Sequence, residues 1–283
     1  MTLESLYRNT LAPLTRALGE SEGKATARLV IEDVAGFPYM KVFISPRLEI
    51  EPETAMRVCR AVKRIVAGEP PQYVAGRARF MGMDLAVSPA TLIPRPETAG
   101  LVDIITDDMR GRSDLRVLDA GTGSGCIAIA LARALPFARV DAIDISAEAV
   151  EVATANARSL HAAVDIRRAD MLALTPPDAP HYDIIVSNPP YIAESEADTV
   201  DGRVAAHEPH AALFVPDDDP LRFYHALSRY GRSALRPGGR LYFEINPNYA
   251  DRLAADLAAD GYRGIDIMRD AYGRRRYARA QLC

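Results

Sequence analysis

One stretch of the chain limits the possible folds more than any other. The sequence RVLDAGTGSGCIAIALA begins at Arg116 with a run typical of a buried strand and ends in a run typical of a helix. Gly121, Gly123 and Gly125 stand between the two, where residues without side chains let the backbone turn sharply and approach a ligand closely. A dinucleotide-binding loop needs its third glycine one position later, where this chain has Cys126, so the pattern argues against a nicotinamide cofactor.

Strand-like and helix-like runs alternate around and after this loop. Strands are predicted over 116–119, 139–143, 165–167, 183–187 and, after a Pro-Gly-Gly turn, 240–245, with two closing strands behind them. Helices are predicted over 127–135, 148–160, 221–235 and 249–260. This alternation is typical of βαβ units in an α/β fold. The segment from Asn188 to Pro220 has little periodicity and is predicted to be an active-site loop.

The first part of the chain has a different pattern. Apolar residues recur at helical spacing and predict helices over 3–18, 22–34 and 52–66. Pro13 is a candidate interruption of the first helix. Two short strand-like runs, 79–81 and 84–87, bracket a glycine turn and predict a hairpin. The expected parts are a helical domain over 1–74, a hairpin linker over 75–92 and a catalytic domain over 93–283.

Composition narrows the class of protein. The formal net charge of -4 gives no general reason to expect binding to nucleic acid. The cysteines, Cys59, Cys126 and Cys283, are scattered without CxxC spacing, which argues against disulfides and zinc and favours a reducing compartment. No signal peptide and no membrane-spanning window are recognisable, so a soluble, cytoplasmic protein is expected.

Two nearby histidines, His207 and His210, form a candidate metal site. The sequence His207-Glu208-Pro209-His210 has ligand-type side chains, but Pro209 is incompatible with the helical geometry of an HExxH site. No metal site is expected.

Residues at two strand ends after the glycine loop favour a nucleoside ligand. Asp144 ends the second strand of the βαβ unit and is suited to accept hydrogen bonds from both hydroxyls of a ribose. The alternative is that Asp144 caps the next helix, a role that Ser146 fills equally well. After the third strand, Asp170 is suited to receive the amino group of an adenine and Met171 to pack on its face, or Met171 simply fills the core.

The sequence DIIVSNPPYI, from Asp183 to Ile192, indicates a second type of binding site. A buried strand ends here in Asn188, Pro189, Pro190 and Tyr191 instead of a glycine turn. The Asn188 side-chain oxygen and the Pro189 carbonyl can each accept one N-H of a planar amino or amide group, and ring-fixed φ angles keep the turn rigid. Two such acceptors orient a poorly nucleophilic nitrogen toward an electrophile. Tyr191 is expected to pack its ring on the planar target.

The combination of DAGTGSG, AID and SNPPYI resembles the class I S-adenosylmethionine-dependent methyltransferases that act on planar amino nitrogens. The stretches GEPPQYVAGRARFMGMDLAVSPATLIPRPETAGLVD and HEPHAALFVPDDDPLRFY resemble, more narrowly, the peptide chain release factor glutamine methyltransferase family. The resemblance covers essentially the whole chain. It implies a Rossmann-like seven-stranded sheet, an N-terminal helical domain that recognises the protein substrate, and S-adenosyl-L-methionine as cofactor.

The resemblance also implies an activity and roles for particular residues. The reaction is N5-methylation of the glutamine in the Gly-Gly-Gln loop of bacterial class 1 release factors, which are the expected partners. The methionine moiety of the cofactor is assigned to the loop residues Gly121, Thr122, Gly123, Ser124 and Gly125. Asp144 is assigned to the ribose, Asp170 and Met171 to the adenine, and Asn188 lies beside the cofactor as well as the substrate. The glutamine amide is assigned to Asn188, Pro189, Pro190 and Tyr191, with Phe80 flanking the site.

Three other functions remain open from the sequence. A sister enzyme could methylate a glutamine of a ribosomal protein, and an N6-adenine methyltransferase could act on nucleic acid, although the roughly balanced charge of the N-terminal segment does not favour the latter. A protein of a different class would bind S-adenosylmethionine on the ribosome without catalysis. An intact NPPY sequence argues against this last function, because binding alone does not need a prearranged pair of acceptors. Membrane partners are not expected.

Overall fold

The computed structural model describes all residues, 1–283, and divides them into two compact units, Met1–Arg77 and Ala78–Cys283. The α-helices are α1 (Leu3–Leu18), α2 (Glu20–Leu29), α3 (Lys41–Ile44), α4 (Pro52–Val66), α5 (Pro71–Ala75), α6 (Pro96–Asp108), α7 (Cys126–Ala134), α8 (Ala147–Ser159), α9 (Gly202–His207), α10 (His210–Leu213), α11 (Arg222–Ala234) and α12 (Ala250–Ala259). The strands are β1 (Arg77–Phe80), β2 (Met83–Ala86), β3 (Arg116–Ala120), β4 (Arg139–Asp144), β5 (Val164–Arg168), β6 (Tyr182–Ser187), β7 (Ile192–Ala193), β8 (Phe214–Val215), β9 (Leu235–Glu244), β10 (Tyr262–Arg269) and β11 (Arg275–Leu282).

The first unit is helical, as predicted. Helix α1 begins at the cap residue Thr2, whose side chain accepts a hydrogen bond from the Ser5 backbone N-H. The helix continues through Pro13, so the expected interruption is wrong. An interior proline costs a helix about 3 kcal/mol, which the burial of a continuous apolar face can offset. That face includes Leu3, Leu6 and Leu14, and it forms one core with residues of α4 and of the segment around Val30.

The helix predicted over 22–34 is two elements in the structure. Helix α2 begins at Glu20, directly after Gly19 in a positive-φ conformation, and a π-helical turn covers Val30–Val34. Helices α1 and α2 approach closely at Gly23, where an added Cβ would lie 2.5 Å from Thr15 Cα. Only glycine fits there, so this contact sets how the helical hairpin packs.

The second unit is built on the predicted seven-stranded sheet. The strand order is β10-β11-β9-β6-β3-β4-β5. Strands β9, β6, β3, β4 and β5 run parallel to one another, and β11 pairs antiparallel with both β9 and β10. The chain moves outward from β3 through β4 to β5 and then returns to the other side of β3 with β6. In open α/β sheets, ligands bind at the carboxyl ends of the strands at such a reversal.

The central strands are buried on both faces. Val117 and Leu118 of β3, and Ile184 and Ile185 of β6, belong alternately to two different apolar clusters. One cluster includes α6, α7 and the β1–β2 hairpin, and the other includes α11 and α12. Because successive side chains of a strand point to opposite faces, the two clusters lie on opposite sides of the sheet. This explains why the strand sequences are continuously apolar rather than alternating.

Two local predictions differ from the structure. The segment after Asn188 is not a plain loop: it contains β7, β8, α9 and α10, and β7 pairs in parallel with β8. The predicted Pro-Gly-Gly turn lies inside β9, where Leu235 pairs with Tyr182 but Arg240 pairs with Ile184. The extra residues form a bulge that contains Gly238 at φ 77. No helix combines the length and the hydropathy that crossing a membrane requires.

Candidate active site

A cavity of about 350 Å³ lies where the carboxyl ends of β3, β4 and β6 meet. Its walls come from the glycine loop, from the turns after β4 and β5, from the turn after β6, and from residues of the α6 and α10 regions. It therefore brings together most of the residues that the sequence predicts to bind a ligand: Gly121, Thr122, Gly123, Ser124, Asp144, Asp170, Met171, Asn188 and Pro190.

Backbone conformation shapes the glycine loop. Gly121, Gly123 and Gly125 all have positive φ, at 79°, 54° and 82°. The N-H groups of Gly121 and Thr122 both donate to the Ile143 carbonyl at 2.9 Å, which ties the loop to the end of β4. An added Cβ on Gly125 would lie 3.0 Å from Ile129 Cδ1 and 3.3 Å from Ala153 Cβ. Because Gly125 has no side chain, the loop can pack closely on α8. Gly125 does not line the cavity.

A buried carboxyl supports the loop from below. Asp119 is fully buried, and its Oδ2 accepts hydrogen bonds from the Thr122 hydroxyl at 2.7 Å and the Ala128 N-H at 3.1 Å. Its Oδ1 is buried without a hydrogen-bond partner. Burial raises the pKa of Asp119 to about 7, although the two hydrogen bonds act in the opposite direction. Asp119 therefore joins the end of β3, the loop and the first turn of α7.

Asp144 links the loop to the next strand. Its Oδ2 accepts the Gly123 N-H and its Oδ1 accepts the Ser146 N-H, both at 2.9 Å. Helix α8 is capped by Ser146, whose Oγ accepts the Ala149 N-H, so Asp144 is not the capping residue. A carboxylate has about four acceptor positions. Two of them remain on Asp144, which lines the cavity.

The turn after β5 forms an apolar side of the cavity. Asp170 caps a short 3-10 turn by accepting the Leu172 N-H at 2.8 Å. Met171 packs against the glycine loop, since a Cβ on Gly121 would lie 2.8 Å from Met171 Cε. Ile145 and Leu172 also line the cavity while remaining 56% and 37% exposed, and no pattern in the sequence predicts this position for them.

The turn after β6 is held by side chains from distant parts of the chain. Asn188 is half-buried and donates from Nδ2 to the Thr98 hydroxyl at 3.2 Å. Thr98 in turn donates to Glu244 Oε2 at 2.9 Å. No group of the chain donates to Asn188 Oδ1 or to the Pro189 carbonyl. Both acceptors that the sequence predicts are thus uncommitted within the protein.

Glu244 is the centre of this polar arrangement. It is 2% exposed and also accepts the Tyr191 hydroxyl on Oε1 at 3.2 Å. Burial raises the pKa of Glu244, while Thr98, Arg276 and Tyr191 act to lower it. The pKa of Tyr191 is raised well above its ordinary value, first by burial and then by the charge of Glu244. Asn246 completes the support by donating to the Tyr191 carbonyl at 3.0 Å.

Four predicted site residues are not part of the cavity lining: Gly125, Pro189, Tyr191 and Phe80. Pro189 is buried between Asn188 and Pro190, which do line the cavity. Tyr191 is tied by its hydroxyl to Glu244, and the contact of its ring with a substrate stays a prediction. Phe80 is 3% exposed in the core beside Met83, so the structure does not place it at the cavity. The alternation of β1 explains this, because Ala78 and Phe80 share the buried face.

The cavity also includes residues whose roles could not be predicted from the sequence motifs in which they occur. Arg95 lines the cavity and pairs with Glu208, which also accepts the Ile93 N-H at 3.1 Å. Glu208 is 5% exposed, so this pair anchors the segment before α10 to the segment before α6. His207, by contrast, contacts the Arg203 carbonyl, and no group of three or more His, Cys, Asp or Glu side chains is arranged to hold a metal ion.

Comparison with known proteins identifies the family. Residues 98–208 match the model of the methyltransferase small domain, and residues 9–76 match that of the PrmC N-terminal domain. A release factor glutamine methyltransferase of Bacteroides thetaiotaomicron is 42% identical over 90% of this chain and 91% of its own. The chain belongs to the release factor glutamine methyltransferase family. A second member of this family, from Deinococcus radiodurans, is 34% identical over 99% of both chains.

Solved structures support the fold of this family member. A methyltransferase from Pyrococcus furiosus superposes with a TM-score of 0.53 at 16% identity, over 82% of this chain and 98% of its own. At that identity the likeness concerns the fold alone. The α/β class and the seven-stranded sheet implied by the sequence resemblance are thus confirmed.

Proposed function

We propose that this protein transfers a methyl group from S-adenosyl-L-methionine to the side-chain amide nitrogen N5 of the glutamine in the Gly-Gly-Gln motif of bacterial class 1 release factors. The observation that carries the proposal is the pair of uncommitted acceptors, Asn188 Oδ1 and the Pro189 carbonyl, beside a cavity built on a glycine loop. The family to which the chain belongs supplies the substrate class.

The cavity has the size and chemistry that this cofactor requires. Its volume of about 350 Å³ falls in the range of about 300–1,000 Å³ that is usual for small-molecule sites. Residues 121–124 supply backbone and small side chains for the methionine moiety. The free acceptor positions of Asp144 suit the ribose hydroxyls, and Met171, Ile145 and Leu172 supply apolar walls for the adenine. The bound cofactor supplies a methyl group on a positively charged sulfur.

The turn after β6 prepares the glutamine amide for methylation. An amide nitrogen is a poor nucleophile because its lone pair is delocalised into the carbonyl. Acceptance of one N-H by Asn188 and of the other by Pro189 aims the nitrogen at the methyl group and favours the positive charge that develops on it. As the nitrogen-methyl bond forms, the sulfur-methyl bond breaks and S-adenosyl-L-homocysteine is the second product. The methylated nitrogen is acidic and loses its proton to water, so no side chain is required as a general base.

The experiment that tests this function is a labelling assay with a choice of substrates. The protein is incubated with methyl-labelled S-adenosylmethionine and, separately, with a class 1 release factor, the same factor with the motif glutamine replaced by alanine, ribosomal proteins, and DNA. Label is expected only in the unaltered release factor, and peptide mass spectrometry is expected to place it on the motif glutamine.

Two controls make the result specific. Asn188→Ala should abolish most of the labelling, whereas Asn248→Ala changes an exposed asparagine near the end of β9 and should leave it unchanged. Label that appears in ribosomal proteins or DNA but not in the release factor would overturn the proposed substrate. Equal labelling of the unaltered and glutamine-free release factors would overturn the proposed target atom.

A further inference from the structure

A buried chain of hydrogen bonds lies behind the Asn188 amide. Thr98, near the start of α6, accepts from Asn188 Nδ2 and donates to Glu244 Oε2. Thr98 and Glu244 are each 2% exposed, so water does not replace either partner. The members come from three separate elements, with 90 residues between Asn188 and Thr98 and 146 between Thr98 and Glu244.

The order of donors and acceptors in this chain fixes the amide in one orientation. An ionised carboxylate can only accept, so the Thr98 hydroxyl proton is directed at Glu244. The Thr98 oxygen then presents only lone pairs to Asn188 and needs a donor there. The NH2 end of the amide meets that need, while its oxygen end would face lone pairs and be repelled. Asn188 Oδ1 is therefore left on the side away from Thr98.

Glu244 is well suited to remain the acceptor at the end of the chain. Its Oε2 is engaged by Thr98 and its Oε1 by Tyr191. Arg276 lies near this arrangement, with its Nη1 at 3.5 Å from the Tyr191 hydroxyl. The positive charge of Arg276 favours the ionised form of the Glu244 carboxylate. Each carboxylate oxygen of Glu244 thus accepts one hydroxyl. A neutral amide in its place has only one oxygen and would lose one of these two hydrogen bonds.

We infer that Thr98 and Glu244 are positioning residues, which act through Asn188 by holding its amide oxygen, and not its NH2, toward the substrate amide. This deepens the proposed function and rests on it. With the amide reversed, the NH2 of Asn188 would face the N-H of the glutamine, and two donors would oppose each other. Correct orientation is thus a precondition for the acceptor pair to work.

The decisive experiment is a double-mutant cycle between Thr98 and Asn188. Thr98→Val keeps the shape and removes the hydroxyl, and it is expected to lower the single-turnover methylation rate at saturating release factor by roughly 10- to 100-fold. The dissociation constant of S-adenosylmethionine, measured by calorimetry, is expected to stay unchanged. In the Asn188→Ala background, Thr98→Val is expected to cause no further loss, because nothing remains to be oriented.

Two additional variants guard against a simple structural effect. Thr98→Ser keeps the hydroxyl and should retain most of the rate, even if Thr98→Val folds poorly. Glu244→Gln offers a single oxygen to the two hydroxyls of Thr98 and Tyr191, and its NH2 can donate to Thr98. That change frees the Thr98 proton for Asn188 Oδ1, so a partial loss of rate with normal cofactor binding is expected.

The outcomes separate this inference from the proposed function. If the unaltered protein labels the release factor but Thr98→Val is within about twofold of it, the inference is wrong and the function stands. The same holds if Thr98→Val causes an equal loss with and without Asn188, because that would indicate a role independent of the amide. If the unaltered protein labels no release factor, the proposed function fails and the inference fails with it.

Discussion

A buried carboxyl group lies beneath each of two walls of the cavity, but the two groups support their walls by different means. Asp119 holds the glycine loop through contacts three and nine residues away, to Thr122 and the Ala128 N-H. Glu244 holds the turn after β6 through side chains 146 and 53 residues away, Thr98 and Tyr191. The first wall is therefore local and largely made of backbone, and the second depends on tertiary contacts between side chains.

This difference suggests a division of roles. A glycine loop presents backbone and space, which suit a cofactor that binds as S-adenosyl-L-methionine and leaves as S-adenosyl-L-homocysteine after giving up its methyl group. A network of side chains fixes the direction of single lone pairs, which suits a group on which a bond is made. Changes in the second wall should then act on the rate of methyl transfer, and changes in the first wall should act on cofactor binding.

The largest expected effect is on the side-chain wall. Asn188→Ala removes one of the two proposed acceptors and is expected to cost about 2.7 to 4 kcal/mol in the transition state, or roughly 100- to 1,000-fold in kcat, as does the loss of one oriented hydrogen-bonding group in other enzymes. The measurement is turnover of release factor at saturating concentrations. Asn248→Ala is the matched control. A turnover of Asn188→Ala within about threefold of that control would contradict a catalytic role for the amide.

The two walls also differ in how well the sequence predicts them. The spacing of Gly121, Gly123 and Gly125 between a strand and a helix is a local pattern, and all three glycines have the positive φ that such a turn requires. Asp144 likewise follows from its place at the end of β4. These features depend on neighbours in sequence, and so periodicity and glycine spacing are sufficient to place them.

The polar support of Asn188 could not be predicted in this way. Thr98 and Glu244 reach Asn188 only after α6, β6 and β9 have assembled, and nothing in a sequence indicates pairs separated by 90 or 146 residues. The signal that was available is the polar Glu244 at the end of a buried apolar strand, where an unpaired carboxylate would be costly. The burial of Phe80 could not be predicted for the same reason, because the residues against which β1 packs decide which face of the hairpin is buried.

A smaller effect is expected from a methyl group added to the backbone wall. Gly121→Ala places a Cβ 2.8 Å from Met171 Cε at a φ of 79°, so it forces Met171 to move and strains the backbone. The strain should lower the free energy of unfolding by about 1–2 kcal/mol. The displaced Met171 should weaken S-adenosylmethionine binding by about tenfold, which corresponds to about 1.4 kcal/mol, with little change in the rate at saturation.

Gly111 provides the matched control for this variant. It has the same φ of 79°, and an added Cβ would meet nothing within 4 Å. Gly111→Ala should therefore lower stability to a similar extent while leaving the dissociation constant of S-adenosylmethionine unchanged. If both variants bind equally well, Met171 does not form part of the cofactor site. If Gly121→Ala chiefly lowers kcat instead, the division between a binding wall and a rate-setting wall is wrong.

The last expected effect is on stability rather than on activity, and it concerns the pH dependence set by the buried Asp119. Burial raises the pKa of this carboxyl from 3.8 to about 7, so the folded state binds more protons than the unfolded state between these values. The contribution of Asp119 to stability is then complete below the unfolded pKa and is lost as the pH rises through the folded one. The loss approaches at most about 1.4 kcal/mol per pH unit, the value for a single proton.

Asp119→Asn isolates this contribution. The asparagine Oδ1 can accept from both Thr122 and the Ala128 N-H, and its NH2 takes the place of the carboxyl oxygen that has no partner. The free energy of unfolding of the wild type minus that of Asp119→Asn, from urea titrations at several pH values, should fall between about pH 4 and pH 7. A difference that is constant over this range would mean that Asp119 is ionised throughout. Each wall would then rest on an ionised carboxylate, and the two would differ in that Arg276 lies near Glu244 whereas no cation acts on Asp119.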